Sequence, residues 1–171
     1  MREVVFYASA AIAIASAVLC ITRKSPVASA LWLVSALYQL AVLYVLLDAH
    51  FIAAVQVLVY AGAIMVLFLF VIMLLNLGRT GPSDMAGAGR RVVAGVAGLV
   101  LAGELLAFRL AVPPGELVLP AGTVSRLVEE QGAVTAVAKP LFQAYLVPFE
   151  ITSLMLLAAI VGAVVLAKRK L

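Results

Sequence analysis

Five apolar runs divide the chain: Val4–Ile21, Val27–Leu47, Phe51–Leu77, Val92–Val112 and Val147–Ala167. About 20 helical residues cross a hydrocarbon core ~30 Å thick, so each run predicts a transmembrane helix. The fold class is therefore an all-α, polytopic membrane protein of five transmembrane helices, forming a single membrane domain over residues 1–171. An odd number of spans puts the termini on opposite sides of the bilayer. Between runs two and three lie only Asp48, Ala49 and His50. Helices two and three thus form an antiparallel hairpin, with Asp48 or His50 placed to satisfy backbone groups at the turn.

Composition agrees with a lipid solvent. Of 171 residues 66% are hydrophobic and 12% charged, and the mean hydropathy is +1.22; a water-soluble domain is nearer half apolar. The net charge of +4 does not indicate nucleic acid, because the basic residues cluster beside the apolar runs, where they set orientation. Arg23, Lys24, Arg79, Arg90, Arg91, Lys168, Arg169 and Lys170 fall on one side; Arg2, Arg126, Lys139 and a snorkelling Arg109 fall on the other. Eight against four predicts an outside N-terminus and a cytoplasmic C-terminus. A cleaved signal peptide is the competing reading of the first run, with small residues at Ala15, Ser16 and Ala17. Arg23 and Lys24, which follow that run, argue against it.

The long outer loop, residues 113–146, opens on Pro113-Pro114-Gly115 and predicts a short amphipathic helix over Val124–Val137, with Glu129 and Glu130 on its polar face. Lys139-Pro140 is expected to break the chain before the last span. The connector from Gly78 to Arg91 is rich in glycine and is expected to be a cytoplasmic loop.

Polar residues inside the runs are the candidates for function. Glu104, thirteenth in the fourth run, falls near the bilayer midplane, where an ionised group costs ~3 kcal/mol or more without a partner. It is either a neutral, hydrogen-bonded acid or a group that takes part in proton movement. Arg109 is a poor partner, because five residues rotate it by about 140° around the same helix. Glu150, two residues after Pro148, suits the first turn of the last helix, where a carboxylate meets the positive end of the dipole. His50 has no second ligand at metal-binding spacing. Cys20 is the only cysteine, which excludes an internal disulfide and a cysteine-ligated cluster within this chain. Trp32, Tyr38, Tyr44 and Tyr145 read as packing or interfacial aromatics.

The third run carries the most information. Gln56 and Tyr60, four apart, share a helix face and place an amide and a phenol in hydrocarbon. Ala61-Gly62-Ala63 then removes side-chain bulk, permitting close helix contact or a local break in the hydrogen-bond ladder. The following stretch, Ile64 to Leu75, is apolar on every face. A straight helix over 51–77 would measure ~40 Å, longer than the core needs, so it must tilt, bend or protrude.

Val59-Tyr60-Ala61-Gly62-Ala63-Ile64-Met65-Val66-Leu67-Phe68, followed by Asn76-Leu77-Gly78, resembles the third helix of the J subunit of bacterial proton-pumping NADH:quinone oxidoreductase, complex I. That subunit is the counterpart of mitochondrial NADH dehydrogenase subunit 6. Ser25-Pro26 and Glu150-Ile151-Thr152-Ser153-Leu154-Met155-Leu156-Leu157-Ala158 also match. The resemblance implies a π-bulge around Tyr60 and Gly62 and a helix that converts between bulged and regular forms. It marks Gln56, Tyr60, Gly62, Val66 and Phe68 as candidates for the conformational and proton path, with Glu104 and Glu150 as weaker ones. Some relatives carry Glu where this chain has Gln56, so no titratable group is available at that position.

The resemblance also implies a bacterial inner (plasma) membrane location. The implied partners are the quinone-site subunit, the small K-type subunit and antiporter-like subunits, besides the lipid bilayer. No cofactor is expected on this chain; the parent complex uses NADH, FMN, iron-sulfur clusters and quinone. Two other classes remain open on the residues alone. One is a subunit of a related cation/proton antiporter or membrane-bound hydrogenase; the other is a free-standing membrane transport or assembly protein. The second should show paired broken helices, an inverted repeat or a polar stripe, and none is clear in the sequence.

Overall fold

The computed structural model describes residues 1–75, 88–111 and 123–168. All regular structure in them is helical: α1 (Arg2–Thr22), α2 (Pro26–Leu46), α3 (His50–Leu74), α4 (Ala88–Ala111), α5 (Thr123–Gln131), α6 (Ala133–Gln143) and α7 (Leu146–Ala167). Helices α1, α2, α3 and α7 are each long and apolar enough to cross a membrane; in α4 the apolar stretch is the shorter Val92–Phe108. The chain divides into two compact units, Met1–Thr123 and Val124–Leu171.

In the first unit α2 packs against both α1 and α3. The start of α2 follows from two adjacent residues. Ser25 accepts from the Ala28 N–H at 3.5 Å, and Pro26 takes the first helical position, where its missing N–H costs nothing. The buried residues of this unit are mostly small, Ser9 and Ser16 on α1, Ala30 and Ala41 on α2 and Ala53 on α3, with Gln56 and Met65 of α3 as the larger ones. Between membrane helices small residues let the backbones approach, and a hydroxyl then replaces the polar contact that lipid cannot supply. Ser16, 0% exposed, meets Ser35 of α2 at 3.0 Å.

The tight turn from α2 to α3 is built by the backbone. Asp48 N–H donates to the Val45 carbonyl and Ala49 N–H to the Tyr44 carbonyl, both at 3.0 Å, while Asp48 itself is left-handed at φ 59°. This is the Schellman arrangement, in which a left-handed residue lets two N–H groups fold back on the last helical turn. The side-chain cap expected at the turn is not what begins α3: its N-cap is Ala49, with no side-chain cap bond, and His50 is already helical. Asp48 instead reaches across to Arg2 of α1, Nη2 to Oδ1 at 2.8 Å.

Three other expectations are corrected. Helix α4 starts at Ala88, so Gly89, Arg90 and Arg91 belong to the helix and not to the preceding loop; a glycine costs a helix only about 1 kcal/mol. The amphipathic helix expected over 124–137 is two helices parted at Gly132, whose φ of 83° suits glycine alone. Pro140 does not break the chain but lies inside α6. It forfeits one ladder bond near the helix end, and the turn comes afterwards, where the Ala144 and Tyr145 N–H groups both donate to the Pro140 carbonyl. In the second unit Phe142 of α6 then meets Phe149 of α7 edge to face, with ring centroids 5.0 Å apart.

Candidate functional site in the third helix

The third helix is not uniformly wound. It is α-helical over His50–Val55, π-helical over Gln56–Ile64 and α-helical again over Met65–Leu74. The change of register is visible at the borders. Gln56 N–H still reaches the Ile52 carbonyl four residues back, whereas Met65 N–H reaches Tyr60 five residues back. By Leu75 the spacing is four again, its N–H meeting the Val71 carbonyl at 2.9 Å. A π segment accommodates about one extra residue, so converting it to regular α-helix would turn the following segment by about 100° relative to the preceding one.

The sequence explains why the wider turn falls here. A Cβ built on Gly62 would stand 3.2 Å from the Val57 carbonyl oxygen, five residues back. That is tighter than ordinary van der Waals contact, so in this winding Gly62 makes room for a carbonyl of its own helix. Beside Val57, a cavity of about 310 Å³ lies between α2 and α3, its walls including Ala41, Ala53, Ala54 and Tyr38. Small residues thus leave a cavity at the start of the π segment and admit a carbonyl within it.

Gln56 is 9% exposed and Tyr60 is 50% exposed. Neither side chain is hydrogen-bonded within the described residues, so an amide and a phenol remain available to water or to a neighbouring protein. Met65, which follows the π segment, is buried, while Val66 and Phe68 are half exposed. Gln56, Tyr60 and Gly62 thus all lie within the π segment, and Val66 and Phe68 lie in the α-wound part that follows it.

Glu104 and Glu150 lie on other helices. Glu104 is exposed on α4, a helix that does not pack on α1, α2 or α3 of its own unit within the described residues. Glu150 is exposed on α7 and lies beyond its first turn, which holds no acid. The helix begins earlier than Pro148 indicated, because proline is tolerated anywhere among the first N–H groups, which lack partners in any case. A dipole explanation for Glu150 is weakened accordingly. The Arg109 side chain and the Asn76-Leu77-Gly78 end of the signature lie outside the described residues. Two contacts escaped sequence reasoning: the Val57 carbonyl, a backbone group, and Ser16, whose small neighbours resembled a processing site as much as a packing face.

Long apolar helices, a small-residue core and a π-wound interior define a multi-pass helical membrane protein with one irregular helix. The pattern of the family described as NADH-ubiquinone/plastoquinone oxidoreductase chain 6 matches residues 16–166, and the chain belongs to that family. NADH-quinone oxidoreductase subunit J of Pseudomonas aeruginosa is 35% identical over 94% of this chain and 93% of its own length. NAD(P)H-quinone oxidoreductase chain 6 of Leptolyngbya boryana is 37% identical over 99% and 81%, and F(420)H(2) dehydrogenase subunit J of Methanosarcina mazei 32% over 98% and 92%.

Proposed function

We propose that this chain is a membrane-arm subunit of a proton-translocating NADH:quinone oxidoreductase, in which the third helix couples quinone reduction to proton movement by changing its winding. The observation that carries the mechanism is the π segment Gln56–Ile64 with the Gly62–Val57 approach inside it. Quinone chemistry in a neighbouring subunit biases α3 between π and α forms. Conversion to α rotates the segment bearing Val66 and Phe68, and Tyr60 exchanges hydrogen-bond or water partners along a proton route. Gln56 cannot carry a proton but can orient water through its amide.

The relatives support placing the chain on the coupling side of the complex. Those named for NADH, NAD(P)H and F420H2 all match over most of this chain at 32–37% identity, so the electron donor is not what this subunit is built around. With one cysteine and one histidine, the chain lacks the ligand set of an iron-sulfur cluster. Nicotinamide oxidation, flavin and cluster chemistry belong to other subunits, and this one is non-catalytic. In this reading α4 also crosses the membrane, as the fourth of five spans, the N-terminus is outside, and the protein lies in the bacterial inner membrane. Its neighbours are the quinone-site subunit, the small K-type subunit and antiporter-like subunits. Glu104 and Glu150 are secondary candidates, each awaiting a partner from another subunit.

Tagging the C-terminus, solubilising gently and identifying what co-purifies tests the assignment. A flavin- and iron-sulfur-containing assembly that reduces quinone with NADH is the expected result. Migration as a lone small protein would refute it, and a quinone-free antiporter or hydrogenase assembly would favour the alternative class.

A further inference from the structure

A second cavity, of about 420 Å³, opens between the start of α1 and the end of α2. Its rim carries Arg2 and Glu3, and its walls are Phe6, Tyr7, Leu43, Leu46 and Leu47. Both helices end here, so the rim stands at headgroup depth and the walls at the top of the acyl region. Arg2 donates one N–H to Asp48, and its side chain remains 73% exposed. A guanidinium has five N–H donors, which leaves several for an anion. Glu3 forms no hydrogen bond or ion pair with the described residues and supplies a negative charge on the same rim.

We propose that this cavity binds an ethanolamine phospholipid from the surrounding leaflet. The phosphate is held by Arg2, the ammonium by Glu3, and the upper part of one acyl chain lies against Phe6, Leu43, Leu46 and Leu47. The charge pattern selects this class. A zwitterion carrying a phosphate and an N–H-donating cation a few atoms apart satisfies both rim charges. A choline headgroup has no N–H to donate, and a phosphoglycerol headgroup offers Glu3 neutral hydroxyls in place of a cation. An apolar wall beneath a charged rim also matches the lipid's own polarity gradient.

The test uses membranes that carry the full chain in its native assembly, with photoactivatable acyl-chain probes bearing ethanolamine, choline or phosphoglycerol headgroups. Crosslinks are mapped by mass spectrometry. Labelling of the peptides holding residues 2–7 and 43–47 by the ethanolamine probe should exceed that by the choline probe roughly tenfold, the discrimination of one hydrogen bond between charged groups. Glu3→Gln should bring that ratio near one while choline labelling is kept, and it leaves the Arg2–Asp48 pair intact. Arg2→Gln should lower labelling by both. Equal labelling of the unmodified chain, preference for phosphoglycerol, persistence of the ethanolamine preference in Glu3→Gln, or no labelling because a neighbouring subunit fills the cavity would each overturn the proposal.

Discussion

The α1–α2 contact and the π segment of α3 are built from the same kinds of residue, yet they use them in opposite ways. At α1–α2 the space beside Ser16 is filled by another helix, and the Ser16–Ser35 contact at 3.0 Å closes the gap. In α3 the space beside Gly62 is filled by the helix's own Val57 carbonyl. One arrangement fixes two regular helices against each other. The other exchanges the regular ladder for a wider turn within a single helix, on which α2 also packs. What a small residue does in a membrane helix depends on what occupies its missing volume.

That contrast can be broken from either side. The largest effect is expected from Gly62→Val, because a Cβ at 3.2 Å from a carbonyl and a branched side chain both oppose the π form. Strain of about 1–2 kcal/mol shifts the π/α balance roughly five- to thirtyfold. Proton translocation by the assembled complex in sealed vesicles should fall severalfold while the assembly survives; normal pumping would dissociate Gly62 from coupling. Ser16→Leu should do the reverse. Overpacking costs about 1–3 kcal/mol, seen as a lower unfolding temperature of the purified complex, with protons moved per electron unchanged in the molecules that remain assembled. A change in that ratio would make α1–α2 part of the moving machinery.

Asp48 offers a smaller and more selective perturbation. Its left-handed backbone suits Asp or Gly better than Ala, and its partner Arg2 is largely exposed, where an ion pair contributes no more than about 1 kcal/mol. Asp48→Ala should therefore destabilise by about 1–2 kcal/mol, and Asp48→Gly by less, in thermal unfolding of the complex. Equal losses would mean that the ion pair, and not the turn, holds α1 to the hairpin. Smallest of all, Ser35→Ala should cost about 0.6 kcal/mol, and combining it with Ser16→Ala should add little, since one contact is lost in both.

Much of this architecture was legible from hydropathy. The apolar runs 4–21, 27–47 and 147–167 emerge as helices 2–22, 26–46 and 146–167, because in lipid the backbone must satisfy itself and a long apolar run has no alternative to helix. The site was half legible. Gln56, Tyr60 and Gly62 stood out as polar or small residues in an apolar run, but propensity does not distinguish a four-residue from a five-residue ladder. The resemblance placed a bulge around Tyr60 and Gly62, and the structure has π winding there. Illegible were contacts that depend on backbone conformation. The Schellman turn at Asp48 carries no glycine, and Pro140 inside α6 contradicts its usual punctuation.

The proposed change of winding in α3 on quinone reduction can be seen directly. Its most direct test is a pair of structures of the assembled complex at a resolution that shows backbone carbonyls, one oxidised and one held under quinone-reducing conditions. The account predicts Gln56–Ile64 π-wound in one and α-wound in the other, with Val66 and Phe68 displaced around the helix axis by about 100°. The same winding in both states, with Val66 and Phe68 unmoved, would contradict it.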